Sequence, residues 1–433
     1  MQSSNKITAR GPQPVDSSRL STVNGPPLGV RPIHGGIKAA ELRALGLKPE
    51  DVLDFSASIS PLGPPEGVWE AMRRVDLTAY PDPQCLELRE ALSQHLIASP
   101  ISSSMGEGQA CPERSPRDGG IPPLPVGAQY TAALRSNSRG SAVSLGPERI
   151  LVGNGSTELI HLLARSFLSP PCSGTNNKAF LLTPTYGEYE GACQLVGASV
   201  SHLGSQGRTG FSWDLEEANR RIAAERPSLV FLCNPNNPTG VYLQQPEVES
   251  LAEAAAGVGG LLVLDEAYIS FVHKPWESMA LLERDNVALL RSMTKDYALT
   301  GLRLGYALAS AETIGRLASW QPDWSVNGLA QAAGMAALAD GGYLPRARAA
   351  VAQSKEYLTS QLTALGFRVM PSSANFLLVQ VGDAAAWREK LMRRGLFVRD
   401  CTSFGLPEYI RIGLRALPDC QRLVQGIAAI KTS

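Results

Sequence analysis

No run of about 18 consecutive apolar residues occurs in the 433-residue chain, so no membrane-spanning helix is expected. Neither sign of charge is in excess, with 40 Lys and Arg against 40 Asp and Glu. That balance leaves no electrostatic footprint for nucleic acid or an anionic membrane surface. The seven cysteines, at 85, 111, 172, 193, 233, 401 and 420, are odd in number and contain no C-x-x-C pair. Reduced thiols in a cytoplasmic protein fit this better than a disulfide frame or a zinc site, and no metal is expected. Residues 1–30 have no apolar core of the kind a secretory signal needs, and their Ser, Pro and Gly content is read as a disordered tail. Residues 99–145 lack periodicity and are rich in Ser, Gly, Pro and Arg. They read as a surface insertion without chemistry of its own.

Hydrophobic residues make up 44% of the chain, enough for a large core and more than one domain. Before the insertion, the pattern predicts a helix over 38–47 ended by Gly46, a strand over 52–56, a helix opening at Pro65 or Glu66, and a helix over 86–97. From residue 149 short unbroken apolar runs recur at 150–152, 179–182, 229–233, 261–264 and 287–290, with helical stretches between most of them. Such runs suit parallel strands buried on both faces. The fold class expected is α/β: a large domain with a doubly wound, mostly parallel sheet, plus a smaller α+β domain. Strands at 366–369, 376–379 and 410–412, with helices at 330–338, 346–365, 384–395 and 419–430, form the smaller one. The division is 31–78 joining the small domain, 79–328 as the large domain, and 329–433 as the small C-terminal domain.

Polar clusters fall at the carboxyl ends of the predicted strands, where such sheets bind ligands. The most telling is Arg291-Ser-Met-Thr-Lys-Asp-Tyr-Ala-Leu-Thr-Gly-Leu-Arg-Leu-Gly-Tyr306. Lys295 follows two hydroxyl residues, Ser292 and Thr294, and Arg303 lies eight positions on. A lysine amine can condense with an aldehyde. Hydroxyls and a guanidinium suit a phosphate. An aldehyde carrying a phosphate describes pyridoxal 5′-phosphate. Gly153-Asn-Gly-Ser-Thr-Glu158 stands at a strand-to-helix turn, an anion site by its free N–H groups and helix dipole. With Ser292, Thr294 and Arg303, residues Gly155, Ser156 and Thr157 would complete a phosphate cup. Asp265, at a strand end, can keep a pyridine nitrogen protonated, and Tyr268 and Asn237 can donate to the ring's phenolic oxygen. Taken singly each has an ordinary reading: cap or turn aspartate, turn asparagine, plain βα turn.

The lysine segment resembles the S-x-[ST]-K motif, followed by arginine and Gly-Tyr, of fold type I enzymes that use pyridoxal 5′-phosphate. That family places its asparagine, D-x-x-Y, lysine and arginine in the order found here. The resemblance implies that Tyr186, in Pro184-Thr-Tyr-Gly-Glu-Tyr-Glu190, stacks on the cofactor ring. It also implies a homodimer, with active sites near the subunit interface.

Within the family, His34-Gly-Gly36, Leu53-Asp-Phe-Ser-Ala-Ser-Ile-Ser-Pro-Leu-Gly63, Asp323-Trp-Ser-Val-Asn-Gly-Leu-Ala330, Val398-Arg-Asp-Cys-Thr-Ser-Phe404 and Tyr409-Ile-Arg-Ile-Gly-Leu-Arg415 resemble threonine-phosphate decarboxylases of cobalamin biosynthesis. These are close relatives of histidinol-phosphate aminotransferases. The resemblance implies substrate contacts from His34 and Gly35 of the HGG, from Asn237, Arg399 and Arg411, and from the Ser58 position. A phosphorylated amino acid has two anionic ends and needs cations beyond the cofactor. Arg415 is the weaker candidate, since a solvated arginine is the default. Two family asparagines are Ser58 and Ser60 here, and Ile37 stands where the family often has asparagine. A shorter hydroxyl at Ser58 loses an amide donor.

The reaction implied is decarboxylation of L-threonine O-3-phosphate, with Lys295, Asp265 and Tyr268 as catalytic residues. Transamination of histidinol phosphate with 2-oxoglutarate is the alternative. If the carboxylate is turned out of the ring plane, CO2 leaves. If Arg411 holds it in plane, Lys295 removes the Cα proton. A non-catalytic ligand sensor is a third reading, disfavoured because Lys295 and Asp265 are both intact.

Overall fold

The computed structural model describes residues 35–98, 145–168 and 176–432. His34, the tail over 1–30 and the insertion lie outside them, apart from the insertion's last residue. Leu145 is buried in the core, and its carbonyl accepts a hydrogen bond from Ser93 Oγ at 2.5 Å. The surface reading of 99–145 is corrected at that end.

The chain begins with α1 (Ala39–Leu45), β1 (Leu53–Asp54), α2 (Glu66–Arg73) and α3 (Leu86–Ala98). Gly46 ends α1 in the left-handed region at φ 65°, where its N–H reaches back to Arg43 O and Leu42 O. The centre of the chain alternates strand and helix. It runs β2 (Ile150–Asn154), α4 (Gly155–Leu168), β3 (Lys178–Thr183), α5 (Glu188–Leu195), β4 (Ser199–Gly204) and α6 (Leu215–Glu225). It continues with β5 (Leu229–Cys233), α7 (Gln245–Ala256), β6 (Leu261–Asp265), β7 (Val287–Ser292), α8 (Met293–Asp296), β8 (Leu304–Leu308) and α9 (Ala311–Ala318).

These seven strands form one sheet in the order β2-β8-β7-β6-β5-β3-β4. The neighbours from β4 to β7 pair in parallel, and β8 runs antiparallel between β7 and β2. Every residue of β5, β6 and β7 is buried. Side chains alternate between the faces, so Val230, Leu232, Leu262, Leu264 and Leu289 feed one core. Leu229, Phe231, Leu261, Val263, Ala288 and Leu290 feed the other.

The rest comprises α10 (Gly328–Ala339), α11 (Tyr343–Ala364), β9 (Arg368–Met370), β10 (Phe376–Gln380), α12 (Ala384–Met392), β11 (Leu396–Phe397), β12 (Arg399–Asp400), β13 (Tyr409–Gly413) and α13 (Leu417–Lys431). A four-stranded antiparallel sheet runs β12-β13-β10-β9, and β1 pairs in parallel with β11. The early segment therefore hydrogen-bonds to the late one, and Phe55 N–H donates to Phe397 O at 2.7 Å.

Several elements depart from the sequence reading, among them β11 and β12, two-residue strands too short to show as apolar runs. The strand expected over 52–56 is only the two residues of β1. β4 was missed because its alternating, half-exposed polar residues carry no apolar run. β8 was missed because its residues overlap the lysine motif. The mostly parallel sheet stands, and the mixed α/β class with it.

Glu158 Oε2 accepts from Asn154 N–H at 2.7 Å, Gln321 Nε2 at 3.1 Å and Ser325 Oγ at 3.2 Å. Asn327 then caps α10 by accepting from Ala330 N–H. The Trp324-Ser-Val-Asn327 segment thus ties the β2–α4 turn to the start of α10. Behind β6 and β7, Arg291 and Glu266 form a buried ion pair at 2.9 Å. Burial works against the Arg291 charge, but Glu266 holds its pKa above the ordinary value. Removing one partner leaves the other charge buried and uncompensated. Arg291→Met is expected to lower stability by about 3–5 kcal/mol. Calorimetry of the single variant and of the Glu266→Gln/Arg291→Met pair checks this. The single variant falls further than the pair, and equal midpoints would contradict it.

Candidate active site

β6 and β7 are parallel neighbours, so their carboxyl ends open on the same edge of the sheet. β6 ends in Asp265; β7 ends in Ser292 and leads into the short α8 that carries Lys295. At this edge lies a cavity of about 640 Å3, within the usual range for small-molecule sites. Its walls include Asp265, Tyr268, Lys295, Ser292, Thr294 and Arg303 from the sheet side, with Ser156, Thr157, Tyr186 and Asn237. Gly35, Ser58, Arg399 and Arg411 line the other side. Of the sequence-predicted residues, His34 lies outside the described region and Gly155 stands just behind the lining.

Gly155 has φ 74°, and a Cβ there would meet Arg303 Nη2 at 2.6 Å. Glycine lets the guanidinium lie against the turn. A Cβ at Gly305 would sit 2.6 Å from Ser156 N, so that glycine lets β8 approach the same turn. Ser292 Oγ and Thr294 Oγ1 are 2.6 Å apart and hydrogen-bonded. Two hydroxyls, one guanidinium and the N-terminus of α4 converge here, a donor set that fits a phosphate.

Asp265 is fully buried. Ala267 N–H donates to its Oδ1 at 3.0 Å and Tyr189 O–H to its Oδ2 at 2.7 Å. Burial pushes its carboxyl up to about 6, with those two bonds pulling the other way. Burial pulls the Lys295 amine down to about 8, helped by the Arg411 and Arg303 charges. An amine this easily deprotonated can attack an aldehyde near neutral pH. Burial raises Tyr186 to about 12 and lifts Tyr268 further, so both phenols keep their protons. The lysine, carboxylate, phenols and phosphate donors together fit pyridoxal 5′-phosphate. Among the described residues, no group of three or more His, Cys, Asp or Glu could hold a metal.

The asparagines of Asn234-Pro-Asn-Asn-Pro-Thr-Gly240 divide their work. Asn234 bridges to Leu243, its Nδ2 donating to the carbonyl at 3.0 Å and its Oδ1 accepting from the N–H at 2.7 Å. Asn236 donates to Pro184 O at 2.9 Å. Only Asn237 faces the cavity, and its Oδ1 accepts from Arg411 Nη1. Arg411 Nη2 donates to Ser56 O at 2.9 Å, while its buried Nε has no partner among the described residues. Arg399 Nη2 donates to Ser403 Oγ at 2.7 Å. Arg399 and Arg411 are direct cross-strand partners on β12 and β13. Four cations line the cavity (Lys295, Arg303, Arg399, Arg411) against two carboxylates (Asp54, Asp265).

The early segment is pinned to this site. Ser56 Oγ donates to Asp54 Oδ1 at 2.6 Å and accepts from Gly36 N–H at 2.8 Å. A Cβ at Gly35 would lie 2.4 Å from Ser56 O, so only glycine allows that approach. The two serines that replace family asparagines part ways. Ser58 lines the cavity with a buried, unpartnered Oγ. Ser60 does not; its N–H donates to Lys295 O at 2.9 Å and its Oγ accepts from Tyr343 O–H at 2.8 Å. Arg415 is outside the lining, donating to Asp419 Oδ2 at 2.8 Å. Sequence reasoning missed Tyr189, Ser56, Asp54, Ser403 and Cys233. The Tyr186/Tyr189 spacing of three was a signal for the first, but its acceptor is remote in sequence. Asp54, Ser56 and Ser403 lie within the family-like segments 53–63 and 398–404, and only Cys233 carried no signal.

In the cofactor-free protein, Lys295 is expected to react with acetic anhydride with a midpoint near pH 8, well below an exposed lysine. Arg411→Gln removes a cation that disfavours the charged amine, so the midpoint moves up. Competitive labelling followed by mass spectrometry of the Lys295 peptide measures it. A wild-type midpoint above 10 would contradict the burial argument.

Comparison with known proteins agrees with this geometry. The chain is 36% identical over 288 residues to a histidinol-phosphate aminotransferase of Symbiobacterium thermophilum, covering 66% of this chain and 77% of the relative. It is 28% identical over 382 residues to a protein of Caldanaerobacter subterraneus subsp. tengcongensis whose name proposes it as a threonine-phosphate decarboxylase, covering 86% and 89%. The crystal structure of a histidinol-phosphate aminotransferase from Sinorhizobium meliloti, in complex with pyridoxal 5′-phosphate, shares the fold. Its TM-score is 0.72 at 23% identity, with 91% of this chain and 94% of that one covered. The family model for aminotransferase class I and II matches residues 124–430. The chain belongs to the class I and II aminotransferase family, whose cofactor is pyridoxal 5′-phosphate.

Proposed function

We propose that the protein decarboxylates L-threonine O-3-phosphate to (R)-1-aminopropan-2-yl phosphate and CO2, a step of cobalamin biosynthesis. The observation that carries this reading is the cross-strand pairing of Arg399 with Arg411. Two guanidiniums from opposed positions of one ladder suit a short substrate whose carboxylate and phosphate are only a few bonds apart. The unpartnered Ser58 Oγ adds a donor in the same cavity. The name of the Caldanaerobacter relative supports the same reaction.

In this reading Lys295 is the residue that would hold the cofactor, and its amine would return a proton to the substrate Cα. Asp265 keeps the ring nitrogen protonated, Tyr268 and Asn237 serve the phenolic oxygen, and Tyr186 stacks on the ring. Gly155, Ser156, Thr157, Ser292, Thr294 and Arg303 hold the phosphate. When bound, the cofactor supplies the electron sink for the Cα bond that breaks. His34, Gly35, Ser58, Asn237, Arg399 and Arg411 would bind the substrate and set the orientation of its carboxylate.

A second reading, transamination of histidinol phosphate, is favoured by one contact. Arg411 Nη1 donates to Asn237 Oδ1, which fixes that guanidinium beside a residue assigned to the ring's edge. There it would bind the phosphate of histidinol phosphate or the α-carboxylate of the glutamate partner, leaving the Cα–H bond as the one to break. The Symbiobacterium relative carries the aminotransferase name.

A cytoplasmic homodimer is part of the proposal. Trp69, Leu77, Tyr80 and Trp324 are exposed, and the rings of Tyr80 and Trp324 are 4.7 Å apart. Apolar surface of this kind is what association covers. Cys85, Cys193, Cys233, Cys401 and Cys420 are buried free thiols, as suits a reducing compartment.

The test incubates cofactor-loaded protein with L-threonine O-3-phosphate and no keto acid, and assays CO2 and the aminopropanol phosphate. Lys295→Ala is the blank. Lysine-dependent CO2 release is expected. No CO2, with glutamate formed from histidinol phosphate and 2-oxoglutarate, would overturn the decarboxylase reading in favour of the second.

A further inference from the structure

Tyr189 is fully buried at the start of α5, yet it is among the residues that line the cavity. Its ring is stacked on Phe231, with centroids 5.0 Å apart and planes 14° apart. Tyr186 meets it edge-on at 5.6 Å and 83°. The helix that carries it is anchored by His161 Nε2, 3.1 Å from Glu188 Oε2. The phenol therefore has little freedom to turn, and its O–H points at Asp265 Oδ2 from 2.7 Å. With Ala267 N–H on Oδ1, both oxygens of the carboxylate are held.

A carboxylate buried this deeply tends to take up a proton, because its charge is desolvated. A protonated Asp265 could not keep a pyridine nitrogen charged. Several groups face Asp265. Tyr189 and Tyr186 come from the segment after β3, Cys233 from β5, Glu266 and Tyr268 from its own strand end, and Lys295 from α8. Glu266 opposes ionisation, and its charge is already committed to Arg291. Lys295 favours ionisation, but forming the cofactor linkage alters its charge. Among the side chains, the donor whose help does not depend on its own charge is Tyr189, whose phenol burial keeps protonated.

We propose that Tyr189 is a positioning residue for Asp265: its O–H fixes the carboxylate's orientation and favours the ionised form that the cofactor's ring nitrogen requires. This rests on the family's cofactor and not on the choice of substrate. The bland alternative is that Asp265 merely satisfies a buried phenol.

Tyr189→Phe separates the two, because the ring packing on Phe231 and Tyr186 is kept. The dissociation constant for pyridoxal 5′-phosphate is measured by absorbance between pH 5 and 8.5, in the wild type and in Tyr189→Phe. Wild-type affinity is expected to fall as pH drops through about 6, where Asp265 protonates. In Tyr189→Phe that midpoint should move up by about one unit, as loss of a hydrogen bond to a charged group implies. Near pH 6.5 the affinity should be roughly threefold weaker, approaching about tenfold by pH 5. In an Asp265→Asn background, adding Tyr189→Phe should change affinity less than twofold, since no carboxylate remains to be held. An unmoved midpoint in Tyr189→Phe overturns the proposal. So does an equal loss of affinity in the Asp265→Asn background, which marks a packing effect. Far-UV circular dichroism and thermal melting of each variant establish folding, and Tyr189→Leu, smaller and without a donor, repeats the comparison should the phenylalanine not fold.

Discussion

Two opposite charges share one buried strand edge, and most of the surrounding structure answers to that. Asp265 ends β6 and Lys295 lies just beyond β7, neighbouring parallel strands whose residues are all buried. Desolvation drives both towards neutrality, raising the acid to about 6 and lowering the amine to about 8. Neither shift runs to its limit. Tyr189 and Ala267 hold the carboxylate, and Asp265 in turn supports the amine against Arg411 and Arg303. A lysine able to shed its proton near neutral pH, beside an acid able to keep its charge, is what carbonyl chemistry on a pyridine ring needs.

A second buried layer lies behind the first. The residue after Asp265 is Glu266, paired with Arg291. The residue after Lys295 is Asp296, which accepts from Ser270 at 2.8 Å and which burial raises to about 7. Backbone ties complete the frame. Ser60 N–H holds the Lys295 carbonyl, and Tyr343 at the start of α11 holds Ser60. Substitutions in the early segment can therefore reach the lysine without touching a ligand. The arginines of β12 and β13 belong to a different sheet, so the cavity is closed by elements far apart in the chain.

Much of this was legible in the sequence, for identifiable reasons. Strands buried on both faces announce themselves as apolar runs, and the run over 229–233 has the same ends as β5. The residues gathered around the cavity were visible because the chemistry demands unusual types at strand ends: a lysine after hydroxyls, an aspartate before a tyrosine. What the sequence hid depended on tertiary contact. β4 has no apolar run to show, and β8 overlaps the lysine motif. Tyr189 looks like any core tyrosine until Asp265, 76 residues on, comes within reach. Ser58 and Ser60 look alike in sequence, yet one faces the cavity and the other braces the lysine turn.

The most direct test asks where the cofactor attaches. The protein is loaded with pyridoxal 5′-phosphate, reduced with borohydride, digested and mapped by mass spectrometry. Lys355 is an internal control, because burial lowers its amine to about 8 as well, yet it is tied to Ser372 O and lies outside the cavity. A single pyridoxyl group on the peptide containing Lys295, with Lys355 unmodified, is the expected result. A pyridoxyl group on Lys355 or another lysine, or none on Lys295, would contradict the assignment of this strand edge as the active site.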